Sequence, residues 1–277
     1  MSALAAGFAK GSAAVISLVV PTYKERANIP ALVERAGNAL AATGEAYELI
    51  VVDDNSPDGT ADEVRRLQSD RPWLKLVVRE NERDLSTAVV AGWRAARGDF
   101  LGCMDGDLQH PPEHLARLAQ RLRDTGADIA IASRYVAEGS VSEWKFRRRI
   151  ISWTATLMAN LLLPGRIRSV HDPMSGFFLL KRAVIEGTDL KPMGYKILLE
   201  VLARGSFQRV EEVPYTFEER AHGGSKMGLA QIRHYTIHLL RICFETGGAP
   251  RLLFILLGGA LLFLFITAAL ARLLGVA

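Results

Sequence analysis

Short apolar runs, rich in β-branched residues, recur along the first half of the chain: Val15–Val20, Glu48–Val52, Lys75–Val78, Phe100–Met104 and Asp128–Ala132. They do not alternate apolar with polar. A strand of that kind must be covered on both faces, which is the signature of a parallel sheet between helical layers. The segments between the runs carry helical spacing and punctuation. Asn28 stands where a cap would open a helix through about Leu40, with Pro30 in its first turn. Thr60-Ala61-Asp62-Glu63 reads as a capping box. Ser86 would cap a helix to Arg97 stopped by Gly98, and Pro112–Thr125 would be a helix stopped by Gly126. Strand and helix in strict alternation predict an α/β fold with a mostly parallel sheet.

Such sheets bind ligands beyond the carboxyl ends of their strands. Polar clusters should therefore follow the strands, and they do: Pro21-Thr22-Tyr23-Lys24-Glu25, Asp53 to Thr60, Asp105 to His110, and Ser133-Arg134-Tyr135. No strand is followed by G-x-G-x-x-G or by G-x-x-x-x-G-K-[ST], so neither a dinucleotide fingerprint nor a P-loop is present. Asp105, Asp107 and Gln109 occupy alternate positions after a strand. If the strand end is extended, they face one side and form a partial oxygen cage suited to Mg²⁺ or Mn²⁺. A polar turn before a helix is the plainer reading of the same residues. His110 and His114 are separated by Pro111-Pro112, so they share no regular helix and make poor zinc ligands. Asp53 and Asp54 together exceed what a turn requires, and one of them could bind a base or ribose.

Length and composition bound the rest. The chain has 277 residues and a formal net charge of +4. One large domain or two modest ones fit, and anionic partners are favoured: nucleic acid, a membrane surface or phosphorylated metabolites. Cys103 and Cys243 have neither disulfide-framework nor metal spacing, consistent with a reducing compartment. Trp144–Leu163 reads as a helix with a basic start (Lys145, Arg147, Arg148, Arg149), ended by Pro164-Gly165. Phe177–Leu180 and Arg209–Val213 read as further strands. Leu252–Ala271 carries no charge, and at ~1.5 Å per residue it spans roughly 30 Å, the thickness of a bilayer core. Arg233, Arg241 and Arg251 precede it and Arg272 follows, which places the larger part on the cytoplasmic side. The expected organisation is a leader over 1–14, a globular domain over 15–227, an amphipathic interface helix and linker over 228–248, and a membrane anchor over 249–277.

Taken in order, VVPTYKE, VVDDNSPDGT, MDGDLQHPP, ASRY, DPMSGFF and GYKILLEVL resemble the dolichol-phosphate mannose synthases, family 2 glycosyltransferases with a GT-A fold. The resemblance covers about residues 16 to 226. It implies inverting transfer of mannose from GDP-mannose to a polyprenyl phosphate, with Mg²⁺ or Mn²⁺ as cofactor and no nucleic-acid partner. Carried over residue by residue, it implies that Pro21, Tyr23, Glu25, Val52 and Asp54 hold the guanosine. Asp105, Gly106 and Asp107 would meet ribose and diphosphate, with Asp107 and Gln109, beside Asp105, at the metal. Arg134, Arg148 and Ser152 would receive the lipid phosphate, and Lys196, Arg220 and Lys226 would close over the donor. Asp105, Asp107 and Arg134 would form the catalytic set. One departure is Asp84, where the family usually has Gly before the Leu. The same reaction with a UDP-linked sugar, or a non-catalytic sugar-nucleotide-binding membrane protein, remain alternatives. A processive synthase is disfavoured, because Q-x-x-R-W is absent.

Overall fold

A computed structural model describes residues 15–141, 146–163, 165–220, 229–253 and 257. The expected alternation forms as β1 (Val15–Thr22), α1 (Ile29–Ala41), β2 (Ala46–Asp53), α2 (Thr60–Gln68), β3 (Leu74–Val78), α3 (Leu85–Ala95), β4 (Phe100–Cys103), α4 (Leu115–Thr125) and β5 (Ile129–Ser133). The second half adds β6 (Ser140–Val141), α5 (Phe146–Leu162), β7 (Phe178–Lys181), α6 (Ile197–Arg204), β8 (Val210–Pro214), β9 (Thr216–Phe217) and α7 (Leu229–Glu245).

The main sheet has the order β3-β2-β1-β4-β7-β5-β8. All neighbours in it are parallel except β7, which runs antiparallel to both β4 and β5. The reversal matters for the site. Phe178, where β7 begins, lies opposite Cys103, where β4 ends. The segment entering β7 therefore arrives at the edge where the parallel strands finish.

Successive strand side chains point to opposite faces, and both faces are covered. Ile16, Leu18 and Val20 pack with Leu32 of α1, Val64 of α2 and Leu118 of α4. Val19, Ile50 and Val52 pack with Val89 and Trp93 of α3, in a layer shared with α6 and α7. Each such side chain contributes ~1.5–3 kcal/mol when fully buried, which is why the runs are continuously apolar. The helix–sheet approach is close: a Cβ on Gly92 would lie 2.4 Å from Val19 Cγ1.

The helix starts differ from the expected caps, for one recurring reason. Asn28 has helical backbone angles and makes no capping bond; its amide donates to Glu25 Oε2 at 2.6 Å instead. Thr60 is the first helical residue after a left-handed Gly59, and its hydroxyl donates to Asp58 Oδ1 at 2.6 Å, so no capping box forms. α3 is capped by Asp84, which accepts from Thr87 N–H at 3.0 Å, and not by Ser86. In each case a nearby carboxylate, the stronger partner, takes the bond. α3 also stops at Ala95, short of Arg97, whose N–H donates to Glu48 Oε1 at 2.6 Å.

Among the described residues no helix is long and apolar enough to cross a membrane. The Leu252–Ala271 run lies almost wholly outside them, as do the leader 1–14, Trp144 and Lys226.

Candidate active site

At the β1–β2 corner the chain turns sharply at Lys24 (φ +57°) and Asn55 (φ +49°). Pro21 and Val52 are buried and Tyr23 is half-buried. Glu25 is also buried, and its N–H donates to Thr60 Oγ1 at 3.1 Å. The adjacent acids divide their work. Asp53 ties the turn, accepting from Thr22 Oγ1 at 3.1 Å and from Ser56 N–H at 2.8 Å. Asp54 is clamped by Arg79, with Nη2 2.6 Å from Oδ1, and accepts from Asp84 N–H at 3.0 Å. Burial raises the Asp54 carboxyl above its ordinary range, against the pull of Arg79. Arg79 was missed in the sequence; its only signal is an Arg placed directly after an apolar strand. Arg83 stacks over the Tyr23 ring, 4.2 Å from its centroid.

β4 ends at Cys103, and Leu108 takes a left-handed conformation (φ +62°). Residues 105–109 thus form a turn, and strand pleating does not explain how they are presented. Convergence comes from their partners. Asp105 Oδ2 lies 3.2 Å from His110 Nε2, and His110 Nδ1 lies 3.0 Å from the Tyr215 hydroxyl. Asp107 Oδ2 pairs with Arg220 Nη2 at 2.6 Å. Gln109 donates through Nε2 to the Glu218 carbonyl at 3.0 Å, and Glu218 N–H returns a bond to the Gln109 carbonyl at 2.9 Å. That stitching carries Arg220 to Asp107. A Cβ on Gly106 would lie 3.1 Å from Thr22 Cγ2 and 3.3 Å from Val20 Cγ1, so this glycine has a packing reason on the β1 side. His114 is half-buried against the Tyr215 ring, and burial lowers its pKa.

The two acids differ in electrostatics. Burial would raise Asp105, but the His110 hydrogen bond and the nearby charges of His110, Lys196 and Arg220 hold it below the usual range. Burial, reinforced by the charge of Asp105, raises Asp107 despite Arg220. Asp105, Asp107 and Gln109 form an oxygen-only donor set, which fits a hard divalent cation. Among the described residues no group of three or more His, Cys, Asp or Glu is placed to hold a metal ion.

On the other side of β7, Arg134 follows β5 and grips Asp172 in bidentate fashion, Nε to Oδ2 and Nη2 to Oδ1, both at 2.7 Å. Burial opposes its charge, but Asp172 more than offsets this and the guanidinium pKa is raised. Glu212 fixes Asp172 in turn, accepting from its N–H at 3.0 Å. Arg134 and Tyr135 line a cleft of about 690 Å³ with Trp153, Asn160, Arg168 and His171. Ser152 joins this wall through a 2.8 Å bond to the Tyr135 hydroxyl. The Arg148 side chain lies outside the described residues. Arg168 and His171 were not among the sequence candidates, since they sit in an irregular stretch with no motif.

The segment entering β7 joins the two halves. A Cβ on Gly176 would lie 3.0 Å from Asp105 Oδ2, so only glycine lets this turn pass the carboxylate without displacement. Lys196 Nζ donates to the Met174 carbonyl at 2.9 Å.

The sheet edge bears two neighbouring carboxylates, with Arg220 and Lys196 close to them and Arg134 paired to Asp172 across β7, and the chain belongs to glycosyl transferase family 2, whose model matches residues 17–188. Its relatives narrow the class. It is 44% identical to the dolichol-phosphate mannosyltransferase of Pyrococcus furiosus, over 86% of this chain and 66% of that protein. It is 38% identical to the Saccharomyces cerevisiae protein of the same name, over 90% of this chain and 95% of that one. It is also 38% identical to the polyprenol monophosphomannose synthase of Mycolicibacterium smegmatis, over 78% and 82%. In fold it is similar to glucosyl-3-phosphoglycerate synthase of Mycobacterium tuberculosis, solved with Mn²⁺, UDP and glucosyl-3-phosphoglycerate: TM-score 0.61, 18% identity, 84% of this chain and 80% of that one. The architecture is thus of the GT-A type.

Proposed function

We propose that the protein transfers mannose from GDP-mannose to a polyprenyl phosphate, with inversion, at the cytoplasmic face of a membrane. The observation that carries this reading is the pairing of two sites across β7. One is the carboxylate pair Asp105–Asp107; the other is the cleft lined by Arg134 and Arg168. The kinship with polyprenyl-phosphate mannosyltransferases supplies the sugar and the lipid.

In this reading Pro21, Tyr23, Glu25, Val52 and Asp54 hold the guanosine, and Asp105, Gly106 and Asp107 meet ribose and diphosphate. Asp107 and Gln109, beside Asp105, hold Mg²⁺ or Mn²⁺, which would stabilise charge on the leaving diphosphate. Arg220, Lys196 and Lys226 neutralise the donor phosphates. Arg134, Arg148 and Ser152 receive the acceptor phosphate, and Asp172 holds the Arg134 fork in place beforehand. An acceptor phosphate oxygen forms the new bond to the anomeric carbon while the bond to the diphosphate breaks, and GDP leaves with the electron pair. The acceptor oxygen is already ionised, so no proton moves and no general base is needed.

The exposed surface supports a membrane location. Trp153, Leu157, Met158 and Leu161 form one apolar stripe on α5, beside the cleft. Ile237 and Phe244 add apolar exposure on α7, and Leu253 and Leu257 continue it. A lipid acceptor could enter the cleft from that side, with its tail left in the bilayer.

The test is transfer from radiolabelled GDP-mannose and UDP-glucose to polyprenyl phosphate in detergent or vesicles. Mannose transfer that is lost on chelation and restored by Mg²⁺ or Mn²⁺ is expected. Transfer from UDP-glucose alone, or nucleotide binding without transfer from either donor, refutes the assignment.

A further inference from the structure

Asp84 lies in the loop between β3 and α3, and its contacts reach further than its role as a cap requires. Oδ1 accepts from Thr87 N–H at 3.0 Å and caps α3. Oδ2 accepts from Gly194 N–H at 2.5 Å, a residue far along the chain at the mouth of α6. The Asp84 N–H donates to Asp54 Oδ2 at 3.0 Å, and its carbonyl accepts from Arg79 Nη2 at 2.8 Å. Ser86 N–H then donates to the Gly194 carbonyl at 3.0 Å, so Gly194 is held at both its polar groups.

A helix cap needs one acceptor, which Ser or Asn supplies as well as Asp. The second carboxylate oxygen is committed to the loop that carries Lys196. Gly194 has φ +77°, a conformation that fixes the direction in which the chain leaves toward Tyr195 and Lys196. Lys196 heads α6 and reaches the Met174 carbonyl, two residues before the glycine that touches Asp105. A hydrogen-bonded path therefore runs from Asp54 through Asp84 to the Lys196 loop.

We propose that Asp84 is a positioning residue that sets the Gly194–Lys196 segment against the nucleotide end of the site, so that Lys196 meets the donor diphosphate in register. The proposal rests on the glycosyl-transfer reading above. It also gives a reason for an acidic side chain here: the carboxylate makes the loop-to-loop tie.

The test uses Asp84→Ser in the full-length protein in detergent. Serine keeps an oxygen for Thr87 N–H but is too short to reach Gly194 as well. The expected result is a melting temperature lower by only about 2–6 °C, the scale of one lost hydrogen bond, faster amide exchange over residues 192–197, and kcat about tenfold lower. KM for GDP-mannose should change less than twofold, because the backbone bond to Asp54 survives. In a Lys196→Ala background the same substitution should lower kcat no further. Unchanged exchange, unchanged kcat, or an effect additive with Lys196→Ala overturns the proposal, as does a fall in melting temperature beyond about 10 °C, which marks general unfolding. Amide exchange needs no turnover, so it decides the Gly194 tie even if the wild-type protein fails to transfer mannose.

Discussion

Replacing Asp172 with Asn removes the charge that faces Arg134 while keeping nearly the same shape. The pair is buried, with side-chain exposures of 6% for Arg134 and 0% for Asp172, so water and salt screen it little. Three bonds converge on the carboxylate: Nε and Nη2 of Arg134 at 2.7 Å and the Arg134 N–H at 3.1 Å. Leaving a buried guanidinium without its counter-charge costs about 3–5 kcal/mol. At ~2–4 °C per kcal/mol for a domain of this size, the melting temperature should fall by roughly 6–20 °C. Urea unfolding followed by circular dichroism measures the loss directly. Adding Arg134→Met removes the stranded charge, so the double variant should recover at least half of it. A single variant within about 1 kcal/mol of wild type, or a double variant worse than Asp172→Asn, would refute the claim that the ion pair is an internal counter-charge.

Asp107→Ala should reduce mannosyl transfer at least 100-fold at saturating metal and leave the fold intact by circular dichroism; near-normal turnover would remove Asp107 from the metal site. Gly176→Ala should lower kcat without unfolding the protein, because the new Cβ presses on the Asp105 carboxylate at 3.0 Å; a crystal structure or activity assay showing no change would refute that contact. For pH, Glu48 is depressed below its ordinary value near 4.5: burial opposes its charge, but bonds from Lys75, Ser17 and Arg97 N–H prevail. A depressed carboxylate contributes stability that is present above about pH 4.5 and lost as pH falls through its folded value. Unfolding curves for Glu48→Gln should therefore show a flatter decline below pH 4.5 than wild type.

The sheet was legible because burial on both faces leaves a continuous apolar run, and strand ends then located the polar clusters. β7 was legible as a strand but not in direction, since Phe-Leu-Leu reads the same either way. Caps failed where a carboxylate sat within reach, as Asp58 does for Thr60 and Asp84 for α3, because local pattern does not rank competing acceptors. At the site, Asp107 and Arg134 stood out through their motifs. Arg79 did not, and Asp84 and Gly176 were visible only as a departure and as part of DPMSGFF; the partner of each is distant in sequence, Asp54 for Arg79, Gly194 for Asp84 and Asp105 for Gly176. The Asp105–Gln109 spacing was read through an extended geometry that a left-handed Leu108 rules out.

The place of β7 in the sheet has a further consequence, for the order of assembly during synthesis. β1 to β4 can pair with one another as soon as they leave the ribosome, since the β3-β2-β1-β4 block is complete by Cys103. β5 cannot, because both its neighbours, β7 and β8, are made later. Until residue 178 emerges, the nascent chain holds a folded half-sheet and a fully apolar strand with bare edges, a natural client for a chaperone. Released chains truncated near residue 160 should be cut by protease within β5, while the full chain should resist there.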